Sequence, residues 1–169
     1  KLKLMKKILS LFTIVLLFIA CEGPVGPPGP PGAPGEEVIF LASAFEIEVD
    51  FTAQNGYSIV EPYGFEVFPS DVTLVYIQWD SAGGQPIWRL LPQIVEFQEG
   101  QLQYNFDFTR DDVSIFLDGT IDFGLLGSEW TQNQVFRVVV IPADNVDAVN
   151  IASLEAVAKA GNITSFEKK

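Results

Sequence analysis

Hydrophobic and polar positions alternate along much of this chain beyond Glu37. Phe45, Ile47, Val49 and Phe51 alternate with Glu46, Glu48 and Asp50, the period-two pattern of a strand with one face buried and one face wet. Asn55-Gly56 follows, a strong hairpin signal because both residues tolerate positive φ, so Tyr57 to Val60 is expected to return as the partner strand. Pro62, Gly64 and Pro69-Ser70-Asp71 break the chain into loop. Val72 to Trp79 abandons the alternation and is nearly all apolar, which suits a central strand covered on both faces. Ser81-Ala82-Gly83-Gly84 marks the next turn, and Ile87 to Leu91 returns with Trp88 and Arg89 on opposite faces. Pro92 ends that strand or marks an edge.

Glu99-Gly100 is a further turn, after which Leu102, Tyr104, Phe106 and Phe108 alternate with Gln101, Gln103, Asn105 and Asp107. Val113, Ile115 and Leu117 form a short strand closed by Asp118-Gly119. Ile121 to Gln134 reads as loop, with Gly124, Gly127 and Trp130. Val135 to Ile141 is the last clear strand, closed by Pro142. Ile151, Leu154 and Val157 fall at helical spacing, so Ser153 to Ala160 carries the only helical character, with Gly161 as its stop. Seven or eight short strands separated by turns predict an all-β fold, an antiparallel β-sandwich with a short C-terminal helix. The order of the strands does not follow from the pattern.

The first 37 residues obey different rules. Lys6 and Lys7 precede an apolar run from Ile8 to Ala20, which has the length of a signal peptide and is too short to span a bilayer. Met5 is the sole methionine and is expected to be the initiator. The run ends on Phe18-Ile19-Ala20-Cys21, with a small residue before the sole cysteine. Gly then recurs at 23, 26, 29, 32 and 35, the spacing collagen requires because only Gly fits at the axis of three wound chains. Five triplets form either a monomeric polyproline-II spacer of ~45 Å or the stem of a weak homotrimer. The expected organisation is therefore a signal peptide at 1–20, an anchor and stalk at 21–37, and a β-sandwich domain with its helix at 38–169.

Ala20-Cys21 at the end of an apolar run resembles the lipobox of bacterial lipoproteins, although Phe18 stands where Leu is usual. The resemblance implies cleavage before Cys21 and acylation of that residue, each buried methylene contributing about 0.8 kcal/mol of membrane affinity. Together with the Gly-Pro-rich triplets and a final strand reading Val135-Phe136-Arg137-Val138-Val139-Val140-Ile141-Pro142, the chain resembles the small collagen-like lipoproteins of Bacteroidetes. That family implies a lipid-anchored protein of the cell envelope, attached to the outer membrane, with no catalytic residues to carry over. Glu22 fits the acidic start of surface-exported members, whereas Gly23-Pro24 departs from it. Asp80-Ser81-Ala82 matches the three-residue O-glycosylation pattern of that phylum, making Ser81 a candidate sugar acceptor as well as a residue of an ordinary Asx-type turn.

Charge narrows the partners. After cleavage six basic residues face 22 acidic ones, a net charge of −16, which repels nucleic acid and anionic lipid. The chain has no histidine, and acylation of Cys21 leaves no free thiol, which removes histidine-based nucleophilic catalysis and nearly all zinc chemistry. It lacks G-x-G-x-x-G, P-loop and C-x-x-C motifs, so no cofactor is expected. Asp107, Asp111, Asp112 and Asp118, with Asp122 beyond, are a weak candidate for Ca²⁺ and otherwise a solvated acidic face. Trp79, Trp88 and Trp130 with Tyr57 and Tyr63 are candidates for a sugar-stacking platform. Trp79 and Trp88 fall inside strands and read as core, whereas Trp130, in a Gly-rich loop beside Glu129, reads as the exposed ligand contact. Glu96 and Glu99 are carboxylates of the type glycosidases use, but nothing in the sequence sets them across a cleft. The expected function is non-catalytic: an acidic sandwich displayed for structural or adhesive protein contact, the alternative being a glycan-binding module on the same anchor.

Overall fold

Alternation turns most of the chain into strands, and two-sided apolar runs decide which strands lie at the centre. A computed structural model of the chain describes residues 42–169. The expected signal peptide, Cys21 and the Gly-X-Y triplets lie outside the described residues. The strands are β1 (Ser43–Val49), β2 (Ser58–Pro62), β3 (Asp71–Ala82), β4 (Gln85–Leu90), β5 (Gln93–Phe97), β6 (Gly100–Phe108), β7 (Asp112–Gly119), β8 (Gln134–Pro142) and β9 (Glu167–Lys168). They form a five-stranded sheet in the order β4-β3-β8-β1-β9 and a four-stranded sheet in the order β2-β7-β6-β5. Pairing is antiparallel except where the short β9 runs parallel to β1.

The two sheets share one core. Phe45, Ile47 and Val49 of β1, Val75 and Ile77 of β3, and Phe136 and Val138 of β8 meet Leu102 and Tyr104 of β6 and Val113, Ile115 and Leu117 of β7. Each such side chain contributes about 1.5–3 kcal/mol by leaving water. The other face of the five-stranded sheet is also buried, as the apolar run Val72 to Trp79 requires. Leu74 and Tyr76 of β3 and Val139 and Ile141 of β8 pack against Leu154, Val157 and Ala160 of helix α2 (Leu154–Ala160). Ser153 caps α2 by accepting the N–H of Ala156, and Gly161 ends it. Beside this cluster the Arg137 guanidinium sits 4.2 Å from the ring centres of both Trp88 and Phe166, and its Nε donates to Glu46 Oε2 at 3.0 Å. That one side chain joins β4, β8, β1 and the segment leading into β9.

The structure differs from the sequence reading in several places: the described residues hold nine strands rather than seven or eight, the short parallel β9 among them, and a 3-10 segment at Ala143–Ala148. Asn55-Gly56 does not close a hairpin: β1 pairs with β8 in one sheet, and β2 pairs with β7 in the other. The cause is a reciprocal cap, in which Thr52 N–H donates to Asn55 Oδ1 and Asn55 N–H donates to Thr52 Oγ1. The cap winds Ala53–Asn55 into a 3-10 turn, and the chain crosses between sheets through Gly56 and Tyr57, both at positive φ. Strand β5 is an addition, hidden in the sequence because its outward Ile94 is 52% exposed and so breaks the expected alternation. Ile121 to Gln134, read as loop, holds a 3-10 turn at Phe123–Leu125 and a one-turn helix α1 (Ser128–Thr131).

Gly119, at the end of β7, has φ +138, and a Cβ there would collide with the Gln101 carbonyl oxygen. Gly119→Ala is therefore expected to cost about 3 kcal/mol. Gly83→Ala, at φ +59 in the β3–β4 turn with open space around it, should cost about 1 kcal/mol. Urea denaturation of both variants checks the ranking, and equal losses would contradict the β6–β7 packing described.

Candidate functional site

The most elaborated surface lies at one end of the sandwich, where β3 leaves the buried core and β8 begins. Gln78 pairs with Trp88 and Asp80 with Ile87, so Trp79 is the extra residue of a β-bulge. A bulge bends the strand and re-aims a side chain. The Trp79 ring stands edge-on to Tyr104, with centres 6.4 Å apart, and the Arg89 guanidinium lies 4.5 Å from the Trp79 ring centre.

Helix α1 and the three residues after it form the opposite wall. Their backbone is fixed from several sides. The Tyr104 hydroxyl donates to the Trp130 carbonyl at 2.6 Å, and the Phe51 N–H donates to the Thr131 carbonyl at 2.7 Å. Asn133 holds φ +51, a left-handed conformation, with its N–H donated to Asp50 Oδ1 at 2.7 Å. Gln134 Nε2 donates to the carbonyls of Glu129 and Gln132 at 3.0 and 2.8 Å. The Trp130 indole packs edge-on against Phe97 at 5.4 Å. A non-glycine residue at positive φ persists only where its surroundings over-determine it, and here they do.

Between these walls is a cleft of about 190 Å³ lined by Gln78, Trp79, Tyr104, Glu129, Trp130, Asn133 and Gln134, with Ile77 and Val135 behind. A second cleft of about 360 Å³ is lined by Phe97, Glu99, Ile121, Leu125, Leu126 and Gly127 and shares Glu129 and Trp130 with the first. Trp130 and Glu129 thus border two adjoining hollows. Burial, and secondarily the negative charge of Glu129, holds the Tyr104 hydroxyl well above its ordinary pKa, so it stays a neutral donor.

The candidates read from the sequence are dispersed by the fold. Trp130 lies at the cleft but is half-buried, packed against the core and Phe97 rather than exposed. Trp79, read as core, packs on the core margin and also lines the cleft. Trp88 lies on the far face of the five-stranded sheet, beneath Arg137. Tyr63 is buried, its hydroxyl 2.6 Å from Thr73 Oγ1, and Tyr57 packs against Phe123. The five aromatic residues therefore form no single platform, because alternate strand positions and separate sheets divide them.

The acidic candidates are also spread out. Asp112 accepts from the Thr109 hydroxyl at the start of β7, whereas Asp118 accepts the Gly119 N–H at its far end. Asp122 caps the Phe123–Leu125 turn. Among the described residues no group of three or more acidic, histidine or cysteine side chains is placed to hold a metal ion, so Asp107, Asp111, Asp112 and Asp118 do not converge on a Ca²⁺ site. Glu96 accepts from Gln101 Nε2 across the β5–β6 pair, while Glu99 borders the second cleft. Ser81 is exposed near the β3–β4 turn, with its N–H donated to Asp80 Oδ1. Cys21 lies outside the described residues. The sequence does not single out Gln78, Asn133 or Gln134 as site residues; the signal for the last two is the amide-rich run Gln132-Asn133-Gln134 just after Trp130.

The chain matches no protein-family model, and it has no match among curated proteins or among solved structures.

Tyr104→Phe removes the donor to Trp130 and leaves that carbonyl unpaired, an expected loss of about 1–3 kcal/mol. Burial likewise raises the pKa of Tyr63 and Tyr76. Groups raised in the folded state ionise first in the unfolded chain, so their contribution is complete below about pH 10 and is lost as pH climbs towards the folded values. Chemical denaturation between pH 8 and pH 12 should show stability falling only above about pH 10, with a shallower fall in Tyr104→Phe. A flat alkaline limb would contradict the burial of these hydroxyls.

Proposed function

We propose that this chain is a non-catalytic lipoprotein of a bacterial cell envelope, held by acyl chains on Cys21 and displaying an acidic β-sandwich for structural or adhesive contact. The observation that carries the reading is Ala20-Cys21 at the end of an apolar run, followed at once by five Gly-X-Y triplets. An acylated cysteine anchors without a spanning helix, and the triplets hold the domain off the headgroups. The described residues agree with a display role in two respects. They form a two-sheet domain with both faces of its central strands covered, and its best-organised surface is a cleft bordered by Trp130. The carboxylates Glu99 and Glu129 border one hollow but are solvent-exposed, and hydrolysis is not part of the proposal.

A second reading, a glycan-binding module on the same anchor, is favoured by one specific observation: two tryptophans and several amide side chains line one cleft.

Labelling of cells with radioactive palmitate, followed by detergent-phase partition, tests the anchor. The unaltered chain is expected to carry label and enter the detergent phase, and Cys21→Ala to lose the label. Label retained on Cys21→Ala would overturn the proposal.

A further inference from the structure

Three features of the cleft end of the sandwich bear on what it takes up. The first is the pairing of aromatic surface with planar hydrogen-bonding groups. Trp79 and Trp130 are half-buried and border the cleft, with the Arg89 guanidinium 4.5 Å from the Trp79 ring centre, and Gln78 and Asn133 supply amides, which donate and accept at once. A pyranose ring needs this combination, because its faces are C–H surfaces that stack on aromatic rings and its rim is a circle of hydroxyls that both donate and accept.

The second feature is charge. Neither cleft is lined by a lysine or arginine, although the Arg89 guanidinium lies over Trp79, whereas Glu129 borders both and Glu99 borders the second. A carboxylate accepts hydroxyl hydrogen bonds well and repels sulfated or sialylated chains. The third feature is extent. The first cleft is smaller than the usual 300–1,000 Å³ of a small-molecule site. The two hollows adjoin across Trp130, so together they offer room for consecutive rings of one chain rather than for one large ligand.

The backbone that carries Trp130 and Asn133 is held by Tyr104, Phe51 and Asp50 from the body of the sandwich. A site held this way loses little freedom on binding.

We propose that the paired clefts on either side of Trp130 form a two-subsite groove for a neutral oligosaccharide, with Trp130 packing on sugar C–H surface and Gln78, Asn133 and Glu129 bonding hydroxyls. The groove supplies the ligand class for the displayed domain and so rests on the display reading given above.

The test uses the full chain in detergent micelles. Its tryptophan fluorescence is titrated with the hexaoses of cellulose, xylan, starch and chitin, and with sulfated and sialylated oligosaccharides for comparison. Trp88, on the far face, is a built-in control. Saturable binding of at least one neutral hexaose is expected, weakened roughly tenfold or more by Trp130→Ala and unaffected by Trp88→Phe. Gln78→Ala, which changes an exposed side chain, should weaken binding as well, with an unchanged melting temperature showing that the fold is kept. Binding by no neutral hexaose would overturn the proposal, as would preference for the anionic chains or unchanged binding by both cleft variants. Binding of an unstructured peptide at this groove in place of sugars would also overturn it. Detergent-phase partition of the same preparation reports separately on the anchor, so failure of the groove and failure of the display reading are told apart.

Discussion

Val138 and Val139 are neighbours on β8 and both are wholly buried, one on each side of the five-stranded sheet. Few constraints in a β protein are as strong, because both sides of the strand must be covered. β8 is hydrogen-bonded to β3 on one side and β1 on the other, and β3 carries the same two-sided demand through Val75 and Tyr76. One side is met by the four-stranded sheet. The other is met by α2 and the residues around it, with the Tyr76 hydroxyl donating to the Ile151 carbonyl at 2.7 Å. The helix is therefore a requirement of the strand sequence rather than an appendage.

The groove follows from where that demand stops. At Gln78 the strand β3 emerges from the helix-covered region, and its polarity changes. The bulge at Trp79 turns an aromatic ring to the rim instead of the interior. At the same end β8 begins at Gln134, and the chain feeding it must turn sharply out of α1. Backbone groups in that turn lack ladder partners, so Asp50, Tyr104 and Gln134 supply hydrogen bonds in their place. The polar groups that shape the groove are thus answers to the problem of ending two central strands at one place.

Much of the fold is legible in the sequence. The alternation of Phe45 to Phe51, the two-sided run Val72 to Trp79, the turns at Ser81–Gly84 and Glu99–Gly100, and the helix ending at Gly161 all follow from period and punctuation. The Asn55-Gly56 reading fails because turn propensity is local, whereas the choice of sheet is tertiary: Thr52 three residues before Asn55 makes a cap that the dipeptide alone does not announce. The site is less legible. Trp130 shows itself by its Gly-rich surroundings, but Trp79 looks like core because period alone cannot show a bulge. Asn133 and Gln134 become site residues only through Asp50 and the carbonyls of α1, partners fixed by folding.

The groove is built into the body of the sandwich and is not carried on a separate loop. Native-state amide hydrogen exchange measures this directly. The N–H groups of Phe51 and Asn133, which bond across the groove wall, and of Gln132, which donates back to the Ser128 carbonyl, are predicted to exchange almost as slowly as those of Val138 and Val139 in the central strand. Exchange at those three amides as fast as at Gly83 and Gly84, in the exposed β3–β4 turn, would contradict the account.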